Sequence, residues 1–279
     1  MSWELILPED DYRYYRENIT LLENLVVQNF PDCYGNPAIL NAIKNVPRHF
    51  FVNQGYKALA YTDNALPTCG DLTTSAPSVI ARMIFQTGVS KGDKLLEIGT
   101  GTGYQAAVLA EMGVKVFTIE IDGSAVHAAD SVLIRLGYKS DKRLKGTRGR
   151  GDALQRYRAI RAQFPLREPI TLFMGNGQRG LAEKSPFKAI IVAVSVPHLR
   201  HVWHLADQLS SARGTMVVPI GDRNEQCLAI VERTGERIHI STLEGVSFVF
   251  LRMVLNERIE RYNKFLKGSF AKQGSFTNE

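Results

Sequence analysis

Residues 95 to 104, Leu-Leu-Glu-Ile-Gly-Thr-Gly-Thr-Gly-Tyr, form a short apolar run that empties into three alternating glycines. A run of this length ending at Gly99 reads as a buried strand. Gly99, Gly101 and Gly103 then make a turn whose backbone can approach a ligand with no Cβ in the way. The segment from Gln105 to Met112 suits a helix, which would point its first N–H groups at that ligand. A second apolar run, Val114 to Ile119, ends in Glu120. It lies about 20 residues past the first glycine, the separation of a carboxylate that accepts bonds from ribose hydroxyls. The unit therefore predicts a nucleoside-binding βαβ. Tyr104 follows the third glycine, so the last glycine of the dinucleotide form Gly-x-Gly-x-x-Gly is missing. Glu97, the spaced glycines and the acidic strand end together suit S-adenosylmethionine better than NAD.

Composition narrows the class further. A chain of 279 residues with 44% apolar content can bury a full core. No stretch approaches the roughly 18 to 20 uninterrupted apolar residues of a membrane span, and the start of the chain lacks the pattern of a signal peptide. Cys33, Cys69 and Cys227 are odd in number and scattered. That argues against a disulfide framework or zinc site and predicts a reducing, cytoplasmic setting. Between Tyr138 and Glu168 there are ten Lys or Arg against three Asp or Glu. This surplus of seven exceeds the +6 of the whole chain, so the rest is near neutral.

Helical spacing over Asp11 to Asn29 (Tyr14, Ile19, Leu21, Leu22, Leu25, Val26) predicts an N-terminal helix, and Asn36-Pro37 starts a second that runs to Asn45. Residues 46 to 63 read as irregular, 67 to 76 as polar and turn-rich, and Pro77 opens a helix through Phe85. Strands are expected at 94–98, 116–120, 171–174, 189–193, 214–219, 226–232 and 248–251, with helices between most of the first five. Alternating β and α with a strand-rich end predicts an α/β fold, a doubly wound sheet with an antiparallel edge. The expected layout is an N-terminal segment 1–90 on the substrate side, a core 91–254 interrupted by the basic stretch at about 139–168, and a C-terminal helix and loose tail at 255–279.

Several stretches in order then carry a resemblance. Val46-Pro47-Arg48-His49-Phe50-Phe51-Val52, Ala60-Tyr61-Thr62-Asp63-Asn64-Ala65-Leu66-Pro67, Thr73-Thr74-Ser75-Ala76-Pro77 and Leu95 to Val108 resemble motifs of the protein-L-isoaspartate O-methyltransferases. Gly175-Asn176-Gly177, Ser185-Pro186-Phe187, Val218-Pro219-Ile220-Gly221 and Gly245-Val246-Ser247-Phe248-Val249 fall where that family has comparable stretches. The resemblance implies a Rossmann-like S-adenosylmethionine-dependent methyltransferase that esterifies the carboxylate of isoaspartyl residues. There are departures. Cys69-Gly70-Asp71-Leu72 replaces the family's Gly-His-Gly-Gln, Asn176 replaces an Asp beside the adenine, Lys188 follows Phe187 where an acid is common, and the basic stretch looks like an insertion.

Methyl transfer to a carboxylate needs alignment and dryness more than a base, because a carboxylic acid of pKa about 4 is already ionised at neutral pH. Ser75 is the leading candidate to bond the acceptor carboxylate, with Thr73 and Thr74 beside it; the alternative is that Ser75 caps the helix after Pro77. Glu97, Gly99, Thr100, Gly101, Gly103, Tyr104, Gln105, Glu120 and Asn176 are the expected cofactor contacts. Asp63, Cys69, Gly70, Asp71 and Leu72 are the expected substrate side, with Cys69 weighed also as a structural cysteine and Tyr61 as a core residue. His198, His201 and His204 could share a helix face, but no carboxylate follows at metal-site spacing, so no metal is expected. Arg148, Arg150, Arg156, Arg158 and Arg161 suit an acidic peptide better than nucleic acid, since aromatic interleaving is sparse. The expected partner is thus a peptide or protein substrate, with no membrane and the chain a monomer. Two alternatives stand: a dedicated enzyme esterifying an Asp or C-terminal carboxylate of one precursor peptide, and a cofactor-binding adaptor without turnover.

Overall fold

The computed structural model describes residues 3–68, 73–138, 169–222, 224–244 and 248. The loop Cys69 to Leu72, the basic stretch, most of the expected strand at 248–251 and the C-terminal helix and tail lie outside the described residues.

Helix α1 (Glu9–Asn29) buries Tyr15, Ile19, Leu22 and Val26, a stripe at three- and four-residue spacing. Its first turn carries Glu9, Asp10 and Asp11 where the helix dipole favours anions. Leu21, expected to be apolar-facing, is exposed instead. Helices α2 (Pro37–Asn45) and α3 (Pro77–Thr87) both begin with proline in the first turn, where its missing N–H costs nothing. Helix α3 stops at Gly88, whose φ of 60° closes the last turn. Helix α4 (Tyr104–Glu111) follows the glycine turn, and α5 (Gly123–Arg135) is capped by Asp122, whose carboxylate accepts from Ser124 and Ala125 N–H.

Two short strands, β1 (Leu66–Pro67) and β2 (Thr73–Thr74), pair antiparallel at the start of and within the stretch expected to be polar and turn-rich. The main sheet contains β3 (Lys94–Ile98), β4 (Lys115–Glu120), β5 (Thr171–Met174), β6 (Ala189–Val192), β7 (Gly214–Gly221), β8 (Gln226–Thr234) and β9 (Arg237–Glu244). Its order is β5-β4-β3-β6-β7-β8-β9, parallel from β5 to β7 and antiparallel from β7 to β9. The chain steps outward from β3 to β5, then returns to the other side of β3 at β6. The reversal opens a crevice at the carboxyl ends of β3 and β6, where α/β sheets bind ligands.

One sheet face shares a core with α1 to α4, joining Leu22, Ile43 and Ile84 to Leu95, Ile191 and Val217. The N-terminal helices are therefore continuous with the sheet in packing. The opposite face packs Leu96, Ile190 and Met216 against Phe187, Val202 and Leu205. Here the sequence expectation fails: the links from β5 to β6 and from β6 to β7 are short 3₁₀ turns rather than α-helices. Strand β9 was also not anticipated. It is an edge strand whose Ile238 and Ile240 are exposed among polar neighbours, so burial left little apolar signal. Among the described residues no helix is long and apolar enough to cross a membrane.

Candidate functional site

A cavity at the crevice brings Thr73, Thr74 and Ser75 together with Glu97, Gly99 to Thr102, Tyr104 and Gln105. The two ends of the expected site, more than 20 residues apart in sequence, thus face one space. Gly99 and Gly101 adopt φ of 92° and 53°, a region costly to any residue with a Cβ. A Cβ on Gly99 would also press to 3.2 Å from Val194 Cγ1, while one on Gly101 would meet nothing within 4 Å. The turn bends tightly at the first glycine and leaves open space at the second.

Glu97 is fully buried. Its Oε2 accepts the Thr118 hydroxyl at 2.5 Å, and Thr118 is in turn 2.6 Å from the Thr100 hydroxyl. Thr100 is thereby committed to the interior rather than presented to a ligand by its side chain. Burial pushes the Glu97 carboxyl up to about 8, against the lowering effect of the Thr118 bond and with a further push from Glu120. Three buried polar atoms around the cavity have no partner: Glu97 Oε1, the Tyr104 hydroxyl and Gln105 Nε2. Buried polar groups are normally paired. An acid, a hydroxyl and an amide donor left open at one cavity fit a ligand that is cationic at one point and an acceptor at another, as the amino-acid arm of S-adenosylmethionine is.

Glu120 ends β4 beside the glycine turn. Its Oε2 accepts Gly101 N–H at 3.0 Å, and Oε1 accepts Ile121 and Asp122 N–H at 2.8 and 3.0 Å. Glu120 pairs with Met174 in the sheet, which sets Asn176 two residues beyond that pairing. Asn176 Oδ1 caps the following turn through Gln178 N–H at 3.0 Å, and its Nδ2 lies 3.3 Å from Gln178 Oε1. A Cβ on Gly177 would meet Ile98 Cγ2 at 2.5 Å, so only glycine brings this chain so close to the sheet.

The other wall is held differently. Arg48 is completely buried and donates to four main-chain carbonyls, those of Ala60 (2.9 Å), Thr62 (2.9 Å), Asn64 (2.8 Å) and Ser75 (3.2 Å). Its guanidinium lies 5.5 Å from the centre of the Tyr104 ring, joining this wall to α4. Asp63, expected on the substrate side, instead caps α3: Oδ1 accepts Ser78 N–H at 2.7 Å, and Oδ2 accepts Asn29 Nδ2 at 2.6 Å. The capping role weighed for Ser75 thus falls to Asp63. The Ser75 hydroxyl, half-buried at the cavity, bonds no described residue. Tyr61 is core, its hydroxyl 2.7 Å from His49 Nδ1. Burial lowers the His49 pKa to about 4, so the pair is neutral at neutral pH.

Among the described residues no cluster of His, Cys, Asp or Glu can hold a metal. His198 and His201 lie in or beside a 3₁₀ turn, and His204 contacts the Gln178 carbonyl. Sequence reasoning gave no role to Arg48 or Thr118. Arg48 sat inside a quoted motif, and an arginine between apolar residues with no acid nearby was the available signal.

The protein-L-isoaspartate(D-aspartate) O-methyltransferase family profile matches residues 17–255. Protein-L-isoaspartate O-methyltransferase 1 of Syntrophobacter fumaroxidans is 35% identical over 213 residues, covering 76% of this chain and 85% of that protein. A protein-L-isoaspartate O-methyltransferase of Desulfotalea psychrophila is 35% identical over 242 residues, covering 87% and 96%. Among solved structures, a protein-L-isoaspartate O-methyltransferase superposes with a TM-score of 0.66 at 23% identity, over 90% of this chain and 69% of that one. A second from Plasmodium falciparum, in complex with S-adenosyl-L-homocysteine, gives 0.60 at 20% identity, over 84% and 98%. Those two structures bear on the fold, whereas the profile and the sequence relatives span most of the chain and bear on descent. The chain belongs to the protein-L-isoaspartate(D-aspartate) O-methyltransferase family.

Proposed function

We propose that this protein is an S-adenosylmethionine-dependent carboxyl O-methyltransferase that esterifies peptide or protein carboxylates, with L-isoaspartyl residues the default acceptor. The observation that carries the reading is the shared cavity, lined both by the Thr73–Ser75 segment and by Glu97, Tyr104 and Gln105, each of which has a buried polar atom without a partner. Glu97 and Gln105 suit the ammonium and carboxylate of the cofactor's amino-acid arm, with Gly99, Thr100, Gly101 and Gly103 as the backbone cradle. Glu120 keeps lone-pair capacity for ribose hydroxyls beyond the three N–H bonds it accepts, and Asn176 keeps an Nδ2 hydrogen for the adenine. When bound, the cofactor supplies a methyl carbon made electrophilic by the adjoining sulfonium.

The chain's part is alignment. The Ser75 hydroxyl donates to the acceptor carboxylate and orients one oxygen without neutralising it as an ion pair would. Thr73 and Thr74 flank that position, and Arg48 fixes the Ser75 main chain from behind. Walls of Ile80 and Tyr104 keep water from solvating the nucleophile. Replacing Ser75 by Ala is expected to lower kcat about tenfold or more, with cofactor affinity changed less than about twofold. Equal loss of both would remove Ser75 from the acceptor site.

The acceptor is tested with a matched peptide pair, one isoaspartyl and one aspartyl, and a labelled methyl group. Methylation of the isoaspartyl peptide alone supports the repair activity. Methylation of neither, with cofactor bound, redirects the reading to a dedicated precursor peptide, as the unusual Cys69-Gly70-Asp71-Leu72 run suggests. The basic stretch suits an acidic substrate. The residues that flank it, Tyr138 and Ile170, are joined by an N–H···O bond of 2.9 Å. A monomer in the cytoplasm is the setting we propose, in keeping with the buried free thiol of Cys33.

A further inference from the structure

The cavity contains an acid that none of the described residues neutralises. Glu97 is fully buried, with Oε2 taken by the Thr118 hydroxyl and Oε1 left without a partner. Glu120, on the same neighbouring strand as Thr118, is a second acid, and its charge repels that of Glu97. From α4 come the uncharged Tyr104 and Gln105, from β2 the hydroxyls of Thr73 and Thr74, from α3 Ile80, and from the end of β6 Ala193. No Lys, Arg or His is among the described residues that line the cavity. Arg48 sits over the Tyr104 ring, and its two terminal nitrogens donate to four carbonyls.

A carboxyl buried with no cation keeps its proton until a cation arrives. We infer that Glu97 exchanges its proton for the positive charge on the ligand's amino-acid arm, and so selects charged amino-acid nucleosides over bare ones. The inference rests on the cofactor reading above. In the exchange the Glu97 O–H bond breaks, the proton leaves to solvent, and the ligand ammonium takes its place beside the carboxylate. The charge brought by the ammonium and that left on Glu97 cancel, so the buried site gains none from the pair. The free carboxyl titrates at about 8 through burial. Below that pH the proton competes with the ligand, and affinity rises by about tenfold per pH unit from pH 6 towards 8, then levels.

Calorimetry with S-adenosylhomocysteine at pH 6.5, repeated in buffers of different ionisation enthalpy, counts the protons released. At that pH the ligand's ammonium is fully charged, so released protons come from the protein. Wild type is expected to release roughly one proton per ligand bound. 5′-Methylthioadenosine, which lacks the amino-acid arm, should release none. Glu97→Gln should bind S-adenosylhomocysteine without proton release. Binding of S-adenosylhomocysteine with less than about a third of a proton released, or equal release with both ligands, overturns the exchange. If neither ligand binds wild type, the cofactor reading itself falls and takes the exchange with it. Should Glu97→Gln fail to fold, the pH series of wild-type affinity decides, and a flat profile between pH 6 and 8 is the overturning result.

Discussion

The two walls of the cavity are built by different means. The cofactor wall is an extension of the sheet. The glycine turn continues β3, Gly99 N–H bonds the Ile119 carbonyl at 2.9 Å, and Gly175 N–H bonds the Glu120 carbonyl at 2.8 Å. Among the described residues the acceptor wall has only the two-residue pairing of β1 with β2. Its main chain is instead gathered by two charged side chains: Arg48, which donates to four carbonyls, and Asp63, which accepts from Asn29 and from Ser78 N–H. A ladder tolerates the loss of one side chain because each bond is main-chain. A wall hung on one guanidinium does not, because four carbonyls lose their partner together. Ligand-positioning precision is therefore concentrated in a few residues on the acceptor side and distributed over the backbone on the cofactor side.

The largest effect should come from breaking the cofactor wall at Gly99, where its backbone is both unusual and crowded. Gly99→Val forces a β-branched residue to φ near 92° and drives it into Val194. Strain of this kind costs about 1–3 kcal/mol before the clash is counted. Binding of S-adenosylhomocysteine should fall by about a hundredfold or more. Retention of affinity would mean that the turn is adjustable and the contrast between the walls false. Next in size is Arg48→Met. Each buried carbonyl left unpaired costs about 1–3 kcal/mol, so thermal stability should drop by on the order of 3 kcal/mol or more. Displacement of Ser75 should lower kcat by about a hundredfold, with cofactor affinity much less affected. Arg48→Lys keeps the charge but cannot span all four carbonyls, and should fall between the two. Wild-type melting and turnover in Arg48→Met would show that the wall holds itself.

The same contrast explains what could be read from the amino-acid sequence. Gly99 to Gly103, Glu97 and Glu120 work through backbone conformation and strand position, which spacing encodes directly, so the crevice and most of the sheet were legible. The parallel strands announced themselves as apolar runs. Strand β9 did not, because an edge strand with Ile238 and Ile240 towards solvent need not look buried. The helices expected after β5 and β6 became 3₁₀ turns, a distinction that short apolar segments such as Trp203–Gln208 do not carry in their periodicity. On the acceptor side the motif around Thr73 to Ser75 was visible only by resemblance, and Arg48 not at all. Its four bonds join residues 12 to 27 positions away, and no local pattern records which carbonyls a buried arginine will reach.

Asp63 offers the smallest but most discriminating test. As a carboxylate beside the cleft it was expected to meet substrate; in the fold it is the cap of α3, supplied from another segment because Ala76 at the cap position has no side chain to do it. Replacing such a cap by alanine costs typically about 1 kcal/mol. Asp63→Ala should therefore lower the melting temperature by a few degrees, leave affinity for S-adenosylhomocysteine unchanged and raise the peptide KM by less than about threefold. A residue that touched the acceptor would give the reverse: an unchanged melting temperature and a KM raised about tenfold or more. Because Arg48 and Asp63 hold the same short stretch of chain and attract one another, their effects should also be coupled. In Arg48→Lys, where the wall is already loosened, removing the Asp63 cap should cost less than it does in wild type, and strict additivity would separate the two supports.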